Sequence, residues 1–152
     1  MKLRFKLTSI ALFYICGCDR SVAGNDDLLT PNQVERDAKA AQKGDSGAAK
    51  RLAFHFGVTG DKVLSQQYFA KCLSLHNPDC LAEEANTYFA KYADRRTRPD
   101  DKSKYLSLAV SFNHQALISA DKDDSGKIEG YQAQGRTFLA EQSKIPNSTA
   151  TE

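Results

Sequence analysis

The amino-acid sequence predicts an all-α protein of about six helices. Three observations carry that reading. Apolar residues recur at three- and four-residue spacing through most of the chain. Short runs containing Gly, Pro, Asn or Asp separate these stretches. No segment alternates apolar and polar residues convincingly at period two, so no strand is expected. Composition agrees, because 152 residues with 41% hydrophobic and 26% charged side chains exclude collagen-like, low-complexity and wholly disordered chains. A formal charge of +2 is too near neutral for a nucleic-acid binder.

Each element follows from its own residues. The first helix starts at Pro31, which suits a first turn, behind Thr30 as N-cap. Val34, Ala38 and Ala41 share its inner face, and Gly44 stops it. A second helix runs from Ser46 to Phe56 with Ala49, Leu52, Ala53 and Phe56 aligned, and Gly57 and Gly60 mark the turn after it. The third spans Asp61 to Leu75 with Leu64, Tyr68, Cys72 and Leu75 in line, until His76-Asn77-Pro78-Asp79 breaks it. The fourth spans Asp79 to Ala93 with Leu81, Ala85, Tyr88 and Tyr92 aligned. A basic loop, Arg95-Arg96-Thr97-Arg98-Pro99, leads to a fifth helix from Asp100 to Ala120, with Leu108, Phe112 and Ala116 aligned. The last begins after Gly126 and reaches Ser143. The helical domain is thus expected over residues 31–145, and residues 146–152 should be a disordered tail.

The amino terminus has a different character. Lys2, Arg4 and Lys6 precede a nine-residue apolar run, Leu7 to Ile15, followed by small residues and Cys18. Charged, then apolar, then small is the order of a secretory signal. Nine helical residues span about 14 Å, far short of a ~30 Å hydrocarbon core, so a permanent transmembrane helix is not expected. Ile15-Cys16-Gly17-Cys18 resembles a bacterial lipobox. The resemblance implies removal of residues 1–17 and lipidation of Cys18, with residues 18–30 as a polar tether. An ordinary signal cut elsewhere, for instance after Ala23, is the competing reading. Removal of three of the 21 basic residues leaves 18 against 19 acidic ones, a net charge of −1 for residues 18–152. By similarity to enterobacterial lipoproteins, Asp19 implies a periplasm-facing anchor in the inner membrane rather than the outer one.

From Ala48 the chain reads AAKRLAFHFGVTGDKVLSQQYFAKC. This segment resembles the Sel-one-like repeat, a helix-pair unit related to tetratricopeptide repeats. Ala48, Leu52, Ala53, Phe56, Gly60, Asp61, Tyr68, Phe69 and Lys71 match its pattern in order, with Ala53 in place of the usual Gly and Ser65 at a usual Ala. Cys80, Ala85 and Tyr88 fit a second unit less closely, and Ala133-Gln134-Gly135 to Phe138 fit the opening of another. The resemblance implies stacked antiparallel helix pairs, since one such unit cannot bury its own face. A plain helical bundle is the alternative architecture.

Cys72 and Cys80 remain once Cys16 leaves with the leader and Cys18 takes lipid. An even pair in an exported chain reads as a disulfide. The pair also resembles the cysteine-rich secreted branch of the same repeat family, displaced by about one position. Zinc at Cys72, His76 and Cys80 is the rival, although Pro78 interrupts any single helix and no fourth ligand is evident. Asp121 to Ile128 resembles an EF-hand loop, with Asp121, Asp123 and Ser125 as calcium ligands and Gln132 where a bidentate Glu belongs. A polar helix–helix turn explains the same residues. Arg95, Arg96 and Arg98 are candidates for an acidic partner or lipid headgroups, against the alternative of a solvated loop. His55, His76 and His114 sit in no nucleophile motif, and no phosphate-cradling glycine loop occurs.

These features point to a non-enzymatic, cofactor-free module that is lipid-anchored and binds another protein. The repeat resemblance implies, at its sharpest, an immunity protein that neutralises a secreted toxin such as a lipase or wall hydrolase. The alternatives are a structural or adaptor lipoprotein supporting a membrane complex, and a calcium- or ligand-sensing lipoprotein.

Overall fold

A computed structural model describes residues 28–145, and the signal, lipobox and tail expectations, Cys18 and Asp19 among them, lie outside those residues. The described chain is all-α and contains six helices: α1 Pro31–Gln42, α2 Ser46–Thr59, α3 Lys62–Ser74, α4 Pro78–Ala93, α5 Pro99–Ser119 and α6 Ser125–Gln142. None of them is long and apolar enough to cross a membrane.

Short polar side chains set where the helices begin. Thr30 and Gln33 form a reciprocal capping box at α1. The carboxylates of Asp45, Asp61 and Asp124 accept backbone N–H groups of Ala48, Leu64 and Lys127. Asn77 Oδ1 accepts from Asp79 and Cys80 at the start of α4. Left-handed residues set two of the ends. Gly44, at φ 100°, lets Asp45 N donate back to Ala40 O after α1. His76, at φ 54°, takes the same role after α3, with His76 N donating to Leu73 O and Asn77 N to Cys72 O. Glycine is the usual residue there, so a side chain in this conformation marks a tightly held reversal.

Several details depart from the sequence expectation: α4 and α5 begin one residue early, at Pro78 and Pro99, and α6 begins at Ser125, ahead of Gly126 rather than after it, because Asp124 caps it. The second helix runs through Gly57 to Thr59, and only Gly60, at φ 91°, makes the turn. Gly57 is instead a close approach between helices, because a Cβ there would lie 3.2 Å from Ser65 Oγ. The buried stripe of α5 is Leu106, Ala109, Asn113 and Ala116, rotated from the expected Leu108, Phe112 and Ala116. Phe112 is half-buried and stacks on Tyr88, 5.6 Å between centroids.

Consecutive helices pack on one another, most extensively α2 on α3 and α4 on α5. Backbone contact is thinnest between α3 and α4. One core cluster fills α1 to α3 with Ala41, Ala48, Ala49, Leu52 and Cys72, and takes in Cys80 from α4. Two more, around Leu81 with Tyr131 and around Leu106 with Phe138, fill α4 to α6. Alanines recur at the helix contacts and let backbones come close. Aromatic rings occupy the wider spaces, as where Phe56 stacks on Tyr68 and Phe89 on Phe138.

Side chains hold the thin junction. Cys72 and Cys80 are bonded, with Sγ–Sγ 2.01 Å and Cα atoms 6.2 Å apart, and both are buried. Next to Cys80, Asp79 pairs with Lys50 of α2 at 2.5 Å and accepts a hydrogen bond from the Tyr131 hydroxyl of α6. Asn77 Nδ2 donates to Ser46 Oγ at 3.2 Å.

Closing a loop of this length stabilises by about 2–3 kcal/mol in the chain-entropy description. Replacing Cys72 and Cys80 together with Ser is therefore expected to lower unfolding free energy by about that amount in a denaturant titration. Peptide mapping after alkylation of the denatured, unreduced chain should find neither thiol free. Free thiols at both positions would count against the bridge.

Candidate partner-binding groove

The α2–α3 pair and the first turns of α4 enclose an open groove of about 390 Å³. Its shape follows from residue size. Ala53, Gly57 and Ser65 bring α2 and α3 together, and Ser65 Oγ donates to Ala53 O at 2.9 Å, so the hydroxyl in the floor is satisfied. Phe54, Val58 and Phe69 form apolar walls. Phe54 and Val58 lie one helical turn apart, and each keeps 51% of its surface in solvent. Together they make a small exposed apolar pair on the groove wall. Lys50, Glu83 and Thr87 supply a polar rim.

That rim is anchored by the Asp79 node. Burial pushes the Asp79 carboxyl up, but hydrogen bonds from Lys50 and Tyr131, with the charge of Lys127, outweigh it and hold the group below the usual carboxylate range. Burial, and then the hydrogen bond to Asp79, raise the Tyr131 hydroxyl above its ordinary value. Away from the groove lining, Asp37 of α1 is buried and accepts from Arg51 Nε at 2.7 Å and Arg36 Nε at 3.3 Å. The Arg51 bond, working against burial, holds the Asp37 carboxyl low. Sequence reasoning missed Asp37, because nothing in helical spacing aligns it with a cation fourteen residues later.

The residues singled out from sequence are scattered. Arg96 pairs with Asp94 at 3.0 Å and Arg98 with Asp101, in the first turn of α5, at 2.8 Å, so two of the three loop arginines are paired locally, and all three are exposed. Asp121 Oδ1 accepts from Asp123 N, and the helix starts at Ser125. Ser125 and Gln132 are therefore both in α6. Gly126 is not left-handed, so the sharp bend of a calcium loop is missing and the segment is a capped helix–helix turn. Among the described residues no group of three or more His, Cys, Asp or Glu side chains is placed to hold a metal ion. The histidines do not meet. His55 Nδ1 accepts from Leu29 N at 3.2 Å, His76 turns the chain between α3 and α4, and His114 is exposed on α5. Phe54 and Val58 were legible in the sequence only as an excess of apolar residues on α2, a helix whose inner face was already full.

Set against protein-family models, curated proteins and solved structures, the chain shows no match in any of the three comparisons.

The pKa directions fix how stability follows pH. Asp37 and Asp79 titrate lower folded than unfolded, where the value is about 3.9. Their contribution is complete above that pH and is lost as pH falls through the folded values. Tyr131 titrates higher folded than unfolded, where the value is about 10, so its contribution holds below pH ~10 and is lost as pH rises through the folded value. Guanidinium midpoints measured from pH 2 to pH 11 should fall at both ends. Tyr131→Phe should flatten the alkaline limb and lower stability at pH 7 by about 1–3 kcal/mol, since one hydrogen bond to a charged group is lost.

Proposed function

We propose that this protein is a lipid-anchored, periplasm-facing module that binds another protein through the α2–α3–α4 groove. The observation that carries the reading is the pair Phe54 and Val58, half in solvent over a concave apolar floor. Apolar side chains set in a pocket with a polar rim are the arrangement that concentrates binding energy at protein interfaces. The anchor rests on the sequence alone: a basic start, the run Leu7 to Ile15 and Cys18 within a lipobox-like tetrapeptide. The helix-pair pattern from Ala48 to Cys72 supports membership in the Sel-one-like repeat class, and the α2–α3 hairpin falls on that segment. By that resemblance the partner is a secreted toxin, such as a lipase or wall hydrolase, and the protein is its stoichiometric inhibitor.

Phe54→Asp with Val58→Asp tests the groove. Both side chains are about half buried, so the double change should cost about 1.5–3 kcal/mol of stability while leaving the helical spectrum intact. Affinity for a partner captured by the wild-type chain from its own cells should fall tenfold or more. Unchanged capture by the double variant would move the interface elsewhere. Substituting His55, His76 and His114 one at a time with Gln or Asn should leave inhibition intact. Turnover that one of these changes abolishes without unfolding would make the protein an enzyme.

Cys18→Ala tests the anchor. The thiol is the acyl acceptor in the lipobox reading, so labelled palmitate should enter the wild-type chain and not the variant. Equal labelling of both would remove the lipobox from the account.

A further inference from the structure

The helices alternate in direction, and side-chain contacts show which turns share an end. Lys50 near the start of α2, and Lys127 and Tyr131 near the start of α6, all meet Asp79 at the start of α4. Gln134 Nε2 donates to Ala82 O and Asn86 Oδ1, and the Tyr92 hydroxyl donates to Glu141 Oε2 at 3.2 Å, so α4 and α6 run side by side in one direction. α2 accompanies them, because Lys50 to Val58 and Cys80 to Thr87 line one groove. The ends of α2, α4 and α6 therefore lie away from Asp79, at the opposite end of the domain. Leu29 N donates to His55 Nδ1 at 3.2 Å, which brings the entry into α1 to that end as well. Charge divides the same way. Residues 91–104, from the last turn of α4 into α5, hold six basic side chains against three acidic ones, a net charge of +3. Residues 121–129, beyond the far end of α5, hold two basic against four acidic, a net charge of −2. Roughly 30 Å of helix separates the two. Arg95 and Lys104 are exposed and form no ion pair among the described residues. Beside them, Lys91 Nζ lies 4.7 Å from the centre of the Tyr88 ring and Lys102 Nζ 6.0 Å from that of Tyr92. Val63, in the first turn of α3 at this end, keeps 65% of its surface in solvent.

We infer that this basic end of the domain docks on a bilayer of anionic phospholipid. The inference rests on the Cys18 anchor proposed above and not on the α2–α3–α4 groove. Ten residues separate Cys18 from Leu28, and fully extended they span at most about 36 Å. The anchor therefore holds the domain beside lipid, on a span longer than its helices, so that the surface charge decides which end turns down. An anionic leaflet attracts the Lys91–Lys104 end and repels the Asp121–Asp124 turn. Each basic residue near such a leaflet strengthens binding roughly fivefold. Tyrosine with lysine alongside settles at headgroup level, where the ring is covered while the hydroxyl and ammonium stay in water. The exposed Val63 adds an apolar contact at the same level. The same charges suit an acidic protein, but the short tether favours the bilayer, because it keeps lipid at high effective concentration next to this end. End-on docking leaves the groove, which runs along the helices, facing sideways and open to a partner.

The experiment places the acylated, isotope-labelled full chain in nanodiscs of phosphatidylcholine, with or without phosphatidylglycerol, that carry a trace of gadolinium-chelating headgroup lipid. In the anionic discs the amides of Gly60, Arg96 and Thr97 should lose about threefold more signal than those of Asp121 to Asp124. The contrast should vanish in phosphatidylcholine discs and in high salt. Arg95→Glu with Lys104→Glu, both at exposed positions, should leave the melting temperature unchanged and abolish the contrast. Equal loss at both ends in the anionic discs, or a contrast that survives in phosphatidylcholine, would overturn the inference. Failure of the anchor reads differently. A purified chain that carries no acyl group is sedimented with vesicles of the same two compositions. Binding that needs phosphatidylglycerol, and that the double variant weakens about twentyfold, keeps the lipid-docking end and removes the anchor. No binding removes both. Polyglutamate that shifts Arg96 and Thr97, where anionic discs do not, would overturn the inference in favour of an acidic protein.

Discussion

The fold turns on one short reversal, residues 74–80. Two three-helix groups meet there with little backbone contact, and a thin seam between packed units is where a small helical protein opens first. The chain closes it with interactions that do not depend on area. His76 turns back in a left-handed conformation, Asn77 caps α4, and Cys80 is carried into the core that Leu52 and Cys72 share. The disulfide and the Asp79 node sit side by side, so a covalent tie and a charge-assisted tie reinforce the same joint. Lys50, Lys127 and Tyr131 reach Asp79 from α2 and α6, the two helices that have to be held level if the groups are not to swing.

That joint also decides what the surface offers. The groove under Phe54 and Val58 is bounded on one side by α2 and α3 and on the other by Cys80, Glu83 and Thr87 of α4. Rotation at the junction would open it, so the two ties that stabilise the fold also preorganise the groove. Preorganisation lowers the ordering cost of association, and it matters most where the contact area is modest. A second groove, of about 350 Å³, has a different origin. It lies between α5 and α6, inside one group, and its shape depends on Gly135 meeting Asn113 rather than on the seam.

The helices were legible in the sequence because local rules set them. Every start has a short polar residue or a proline in the expected place, and the α1 and α2 ends carry Gly44 and Gly60. The disulfide was legible from cysteine count and spacing. Two kinds of information were not. The first is which of two apolar faces a helix buries: α2 carries Leu52 and Phe56 on one and Phe54 and Val58 on another, and only packing against α3 separates them. The second is long-range polar pairing. Asp37 with Arg51, and Asp79 with Tyr131, join residues that no helical period relates. Asn113 was missed for a third reason, since periodicity seeks apolar stripes and a polar residue within one is discounted.

Residues that complete a helix face are predictable because they serve the fold, whereas a residue that breaks the pattern has to be held by something else. Asp37 and Asp79 are accounted for by their cations, and their departure from the pattern is structural. Phe54 and Val58 stay half in solvent, and Asn113 Oδ1 meets no donor among the described residues. The scattered histidines present no comparable feature. Both grooves are thus lined by residues that the helix pattern alone did not require.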